Sequence, residues 1–262
     1  MKPTREIRAA ADFGRIETRP DSGQEEQRAL YLSESVIEVG GAPNLLARLS
    51  AEDYMAVRER GREISAECGE HVFRQGAPHD GIFIIESGSV RTYYTGPSGR
   101  EITLAYWTPG HFVGGPEVFG GGEHMWSGVA IRRSRLLHLR GADLERLMMR
   151  LPAVAIGIVE GLVFKGKCYS ALVHMLGTRS VVERLAQLLL TLAELDGAPT
   201  PAGGIAVARQ VTHEELATMV GATRQWVTKT LENFQKDGTI SVADRRITIH
   251  RRDRLQALVD GA

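Results

Sequence analysis

The segment Val211-Thr-His-Glu-Glu-Leu-Ala-Thr-Met-Val-Gly-Ala-Thr-Arg-Gln-Trp-Val-Thr-Lys-Thr-Leu231 carries the residues best suited to chemistry. Arg224, Gln225, Thr228 and Lys229 recur at helical spacing on one polar face, where their donors can meet the edges of bases in a groove. Arg and Lys suit the O6 and N7 acceptors of guanine, whereas Gln pairs with adenine. The neighbouring residues build the helices that must carry this face. Thr212 with Glu215 three residues later makes a capping box, Thr223 caps the second helix, and Gly221 between them accepts the positive φ of a tight turn. Leu216, Ala217, Val220, Val227 and Leu231 supply inward faces, with Ala217 small where the helices cross. Downstream, Thr239–Val242 and Arg246–His250 alternate around an Ala-Asp-Arg turn and predict a hairpin wing. Arg245 and Arg246 in that wing, and Arg209 before the first helix, are placed to meet phosphates, and Trp226 to pack on the sugar-phosphate backbone or the wing. A generic helical hairpin with a merely solvated face is the alternative. The small inward Ala, the turn Gly, the polar outer face and the wing together favour a winged helix-turn-helix that binds DNA.

The 262 residues suit two domains, and 43% hydrophobic with 24% charged residues is the balance of an ordinary globular protein. Lys plus Arg equals Asp plus Glu at 32 each, so net charge gives no hint of a nucleic-acid partner. Its distribution does: Arg209 to Arg254 holds nine basic against six acidic residues. Cys68 and Cys168 are the only cysteines, too few for an iron–sulfur cluster and without the paired spacing of a metal site. No apolar run reaches the roughly 20 residues that span a bilayer, and the charged first residues lack a secretory signal, so the expected location is the cytoplasm.

The expected organisation is α+β: a partly disordered arm (1–42), an effector-sensing β-roll (43–150), a dimerisation helix (151–177) and the winged helix-turn-helix (178–262). Asn44 caps a helix with Leu45, Leu46, Leu49, Met55 and Val57 as its apolar positions. Short β-type runs follow at His71–Phe73, Gly81–Glu86, Val90–Thr95, Glu101–Trp107, Gly128–Ile131 and Arg135–Leu139, with turn signals that include Ser87-Gly88. Their near-regular spacing predicts a barrel or sandwich. From Pro152 a long helix ends at Gly177. Its Leu151, Ala155, Ile158, Leu162, Lys165, Tyr169, Leu172 and Leu176 repeat at alternating four and three, which fits a coiled-coil seam with a second copy or a helix packed on its own domain. A second apolar helix leads to Gly197–Gly204, read as a surface loop.

From about Asn44 to Leu258 this arrangement resembles the Crp/Fnr family of bacterial transcription regulators. The resemblance rests on Gly69-Glu-His-Val-Phe-Arg-Gln-Gly76, Ile82-Phe-Ile-Ile-Glu-Ser-Gly-Ser-Val90 and Arg100-Glu-Ile-Thr-Leu-Ala-Tyr-Trp-Thr-Pro-Gly-His-Phe-Val-Gly114. It implies a jelly-roll-like sensor, a homodimer, palindromic double-stranded DNA and contact with RNA polymerase, and it places base contacts at Arg224, Gln225 and Lys229. It also implies departures. Cyclic-AMP members carry Glu for the ribose and Arg for the phosphate where this chain has Gly115 and Met125, beside Trp126. Without the Arg, a cyclic phosphate loses hydrogen bonds worth roughly 1.5–3 kcal/mol each. Haem members place Cys and His where Gly114 and Pro116 stand, so no cofactor is identified, although haem on other histidines stays open. The effector set is therefore Tyr106, Gly114, Gly115, Pro116, Glu117, Met125, Trp126, Lys165 and Tyr169, suited to a small apolar or aromatic organic ligand whose carboxylate or hydroxyl Lys165 and Tyr169 could hold. A cupin-like metalloenzyme is the remote alternative, but its His-x-His spacing is absent from the sequence.

Overall fold

The computed structural model describes residues 43–115, 117–201 and 203–261, so the expected arm at 1–42 lies outside the described residues. Two helices open the described chain, α1 (Leu45–Arg48) and α2 (Ala51–Arg60). Asn44 caps the first as expected, its side chain accepting from the Ala47 N–H at 2.9 Å. Ser50 caps a second, so the single expected helix is broken there and Met55 points to solvent.

The strands β1 (Arg62–Ala66), β2 (His71–Phe73), β3 (Ile82–Thr95), β4 (Glu101–Trp107), β5 (Phe112–Gly114) and β6 (Ser127–Leu139) form one antiparallel sheet that coils into a roll. The order is β1-β6-β3-β4, with β2 also on β6 and β5 also on β3. Ser87-Gly88, expected as a turn, instead lies inside β3, and β6 runs unbroken past Arg132. Bulges in both strands absorb the misfit, pinned where Ser134 Oγ accepts from the Ser89 N–H at 3.0 Å. The run Ile82-Phe-Ile-Ile85 lacks polar alternation because both its faces are covered. Phe83 and Ile85 join Trp107, Phe164 and Cys168 inside the roll, while Ile82 and Ile84 face a cluster beneath the helices.

After α3 (Gly141–Arg150), the long helix α4 runs over Pro152–Thr178. Gly177 lies inside it. The helix stops where Ser180 opens α5 (Val181–Asp196) through a reciprocal capping box with Glu183. Among the described residues no single helix is long and apolar enough to cross a membrane. The seam expected to meet a second copy turns inward instead: Ile158 and Leu172 are 1% and 5% exposed, Leu162 packs beneath the helices and Tyr169 against the roll interior. A different stripe faces out. Ile156, Val159, Val163 and Val173 are 48–70% exposed, and Gly166, Ser170 and Gly177 complete their three-and-four spacing. The helix is apolar on two faces, so spacing alone could not choose between them.

The carboxy-terminal domain comprises α5, β7 (Gly197–Pro199), β8 (Ile205–Val207), α6 (His213–Val220), α7 (Arg224–Lys236), β9 (Ile240–Ala243), β10 (Arg246–Ile249) and α8 (Arg252–Asp260). Its sheet order is β7-β8-β10-β9, so the stretch expected as a loop contributes a hairpin that widens the wing. Leu185, Leu189, Leu216, Val227, Leu231 and Ile247 fill its core. Tyr106 of β4 inserts into that same core, and Thr103 Oγ1 lies 3.0 Å from Thr218 Oγ1 on α6, docking the roll on the helix-turn-helix. A bulge opposite Thr92 and Tyr93 lets Ala105 and Trp107 face the roll while Thr103 meets α6.

Candidate nucleic-acid interface and sensor interior

The candidate DNA-reading face follows from local sequence. Thr212 Oγ1 accepts the Glu215 N–H at 3.1 Å while Glu215 Oε2 accepts the Thr212 N–H at 2.7 Å, which fixes the first turn of α6. Gly221 takes φ 60 and ψ 44, a left-handed conformation open to glycine at little cost. Thr223 Oγ1 then accepts the Trp226 N–H at 3.3 Å and starts α7. Val227, Thr230, Leu231 and Phe234 are buried, which leaves Arg224, Gln225 and Lys229 exposed along the opposite face. These three line a shallow groove with Thr228 and Glu232. Arg224 also borders a second hollow, shared with Thr212, His213 and Arg245, so the groove continues from α7 to the wing. Thr228 is half-buried, its Oγ1 held 2.8 Å from His213 Nδ1. Trp226 stands 48% exposed.

Ion pairing sorts the basic residues. Arg251, Arg252 and Arg254 pair with Asp253, Glu194 and Asp237. Arg209, expected to contact phosphate, is 7% exposed and donates from Nε to Asp196 Oδ2 at 2.7 Å. It is thus a buried tie between α5 and the segment before α6. That expectation is corrected: a guanidinium enclosed and already bonded to Asp196 cannot reach the backbone of a DNA duplex without breaking that pair. Arg224, Lys229, Lys236, Arg245 and Arg246 have no carboxylate partner among the described residues and stay exposed. Asp244 and Arg245 sit at the wing tip with φ 49 and 62, a turn usually built with Asn or Gly. This strained backbone holds Arg245 outward.

The residues expected around an effector separate into five places. Tyr106 leaves the roll for the core of the DNA domain, where burial pushes its hydroxyl up to about 12. Gly114 ends β5, Gly115 donates its N–H to His79 Nε2 at 2.6 Å, Glu117 is exposed, and Pro116 lies outside the described residues. A side chain at Gly115 would sit 2.4 Å from the His79 ring, so the imidazole occupies the space a Glu would need. His124 packs 4.5 Å from His79 and 4.4 Å from Phe73, centroid to centroid. Burial holds His79 below the ordinary imidazole range and takes His124 to about 4. Met125 points outward at 56% exposure, removed from any shared site with its neighbours. Trp126 meets Tyr169 of α4 edge to face at 5.7 Å, the one expected pair that the fold joins.

Lys165 lies farther along, its Nζ 3.4 Å from the centre of the Trp107 ring and 4.9 Å from that of Phe112. Burial of the ammonium lowers it to about 7, and the aromatic faces offset part of that cost. The crevice there, bounded by Gly157, Gly161 and His111, has room for about one water. His111, buried beside Trp107, is held at about 4. Among the described residues no group of three or more His, Cys, Asp or Glu could hold a metal ion. His79 and His124 escaped the sequence reading because lone histidines in loops carry no spacing signal.

A β-roll joined by a long helix to a winged helix-turn-helix is the architecture of a DNA-binding transcription regulator. Residues 63–151 match the cyclic nucleotide-binding domain and residues 183–258 the Crp-like helix-turn-helix domain. The chain is 29% identical over 187 residues to the CRP-like cAMP-activated global transcriptional regulator of Mycobacterium tuberculosis, 71% of this chain and 83% of that protein. It is 27% identical over 193 residues to the cyclic AMP receptor protein of Thermus thermophilus, 74% and 86% of the two chains. Among solved structures, a CRP/FNR-family transcriptional regulator, also from Thermus thermophilus, is 26% identical with TM-score 0.58, covering 76% of this chain and 98% of that one. The c-di-GMP responsive global regulator CLP of Xanthomonas campestris, 20% identical, shares the fold at TM-score 0.70 over 77% and 99% of the chains. This chain belongs to the CRP/FNR family: it is a DNA-binding transcription regulator.

Proposed function

We propose that the chain acts in the cytoplasm as a homodimer that reads a palindromic site through Arg224, Gln225, Thr228 and Lys229, and there meets RNA polymerase. The exposed stripe Ile156-Val159-Val163-Val173 supports the dimer: four large apolar side chains at coiled-coil spacing would otherwise stay in water. Two parallel copies of α4 would set two copies of α7 about a two-fold axis, so half-sites about one helical turn apart fit the pair. Arg245 and Arg246 would hold the backbone on each side. Sedimentation at micromolar concentration tests the assembly, and a monomer that still binds a palindrome tightly would contradict it.

The effector in this reading is a small apolar or aromatic organic molecule, not cyclic AMP. The observation that carries it is the pair of lost polar contacts: Gly115 offers no side chain and faces the His79 ring, and Met125 is turned to solvent. The Trp126–Tyr169 pair, half-buried between β6 and α4, is the aromatic surface such a ligand would meet. A second reading, control without any effector, is favoured by the interior itself, which Trp107, Phe83, Phe164 and Cys168 already fill. Melting curves with cyclic AMP and a panel of aromatic acids separate the three. Stabilisation by an aromatic acid supports the proposal. A shift with cyclic AMP alone would contradict it, and no shift at all would favour the effector-free reading.

A further inference from the structure

The seam between the β3–β4 hairpin and the DNA domain holds two arginines with no carboxylate partner among the described residues. Arg184, in the first turns of α5, is 8% exposed. Its Nη1 donates to the Leu176 carbonyl oxygen at 3.3 Å, and its Nε is buried with nothing to donate to. Arg100, at the end of the hairpin, is the charge it feels: repulsion from Arg100 adds to burial in lowering the Arg184 guanidinium. Both lie around the helix-turn-helix turn. A side-chain carbon at Gly221 would stand 3.7 Å from Arg100 Nη2 and 2.9 Å from the Leu176 side chain.

Two other enclosed arginines are treated differently. Arg209 pairs with Asp196 and Arg91 with Glu101. At Arg184 the offset among the described residues is the partial charge at the carboxyl end of α4, and the amino end of α5 opposes it with partial charge of the other sign. A buried cation without a counter-charge is costly, and a like charge beside it raises that cost.

We infer that Arg184 and Arg100 form a binding site for a small oxyanion, a phosphate or carboxylate, that ties the hairpin to the helix-turn-helix turn. Fork-shaped guanidinium groups suit such anions, and Arg184 brings an unused donor. The enclosure of Arg184 keeps a DNA phosphate away, so the ligand is free in solution. Because the Thr103–Thr218 contact lies in the same seam, occupancy strengthens the docking of the two domains and so sets how α7 is presented. This site is separate from the Trp126–Tyr169 surface and stands or falls apart from it.

Inorganic phosphate is the probe, exchanged for chloride at constant ionic strength, with melting and DNA affinity of the full chain as readouts. The expected result is a saturable rise in melting temperature accompanied by a change in DNA affinity. Arg100→Ala, at an exposed position, should weaken half-saturation at least about tenfold. Arg184→Met should abolish the response and melt higher than the parent chain in chloride; should it fail to fold, Arg100→Ala decides alone. A response that is linear, or equal in Arg100→Ala, overturns the site. Saturable stabilisation that leaves DNA affinity unchanged means an adventitious ion only, and overturns the coupling.

Discussion

The helix-turn-helix and the sensor roll solve opposite problems. In the first, the working residues are polar and point outward, and each is set by something a few positions away: Thr212 by Glu215, Trp226 by Thr223, Arg245 by its strained turn. In the second, the residues that decide what can bind point inward and are set by partners distant in sequence, as Gly115 is by His79, Trp126 by Tyr169 and Trp107 by Lys165. Local determinants make one region resistant to surprise. Tertiary determinants leave the other free to change its interior while keeping its fold.

The contrast predicts the largest effect on α4, where an inward and an outward face sit side by side. Val163→Glu should leave a folded chain that sediments as a monomer and loses at least about a hundredfold in affinity for a palindrome, because each half-site then binds alone. Leu172→Glu should instead unfold the sensor, since a carboxylate at a site 5% exposed has no partner and costs several kcal/mol, roughly 3 or more. Circular dichroism with sedimentation distinguishes the two. If Val163→Glu remains a dimer, the exposed stripe is not the seam.

On α7, Arg224→Ala should weaken the best DNA site by about 1–3 kcal/mol and relax its preference for guanine, measured by titration against single-base variants. In the roll, acid should act through the enclosed histidines. His111 and His124 are neutral in the fold down to about pH 4, whereas in the unfolded chain they take a proton near 6.5. Between those values the unfolded chain binds more protons, so their contribution is complete above pH 6.5 and is lost as pH falls toward 4. Urea midpoints across that window should decline, and His124→Gln should flatten part of the decline. The smallest effect is at the wing. Arg245→Gly should relieve the positive φ and stabilise the fold by about 0.5–1 kcal/mol while weakening every DNA site alike and lowering the salt slope by about one.

What the sequence makes legible follows the same division. Thr212, Glu215, Gly221 and Thr223 announce their structure because caps and turns need particular residues at fixed offsets. The wing hairpin is readable from alternation, yet its outer strand β7 is hidden in a Pro- and Gly-rich stretch that carries no alternation. Arg209 looks like any exposed arginine until Asp196, thirteen residues back, is seen to claim it. Along α4 the three-and-four repeat is real, but it runs on two faces, and only the burial of Ile158 and Leu172 decides which one is free. For the effector, Gly115 and Met125 show what is missing. The replacement, His79, enters from a loop more than thirty residues away.

The central claim is that a symmetric pair of α7 helices reads DNA through Arg224, Gln225 and Lys229. Binding-site selection on the parent chain and on Gln225→Glu tests it most directly. The predicted result is a two-fold symmetric motif that keeps guanines, with half-sites about one helical turn apart, and a change at one symmetric base pair in the variant. A motif without symmetry, or one that Gln225→Glu leaves unchanged, would contradict it.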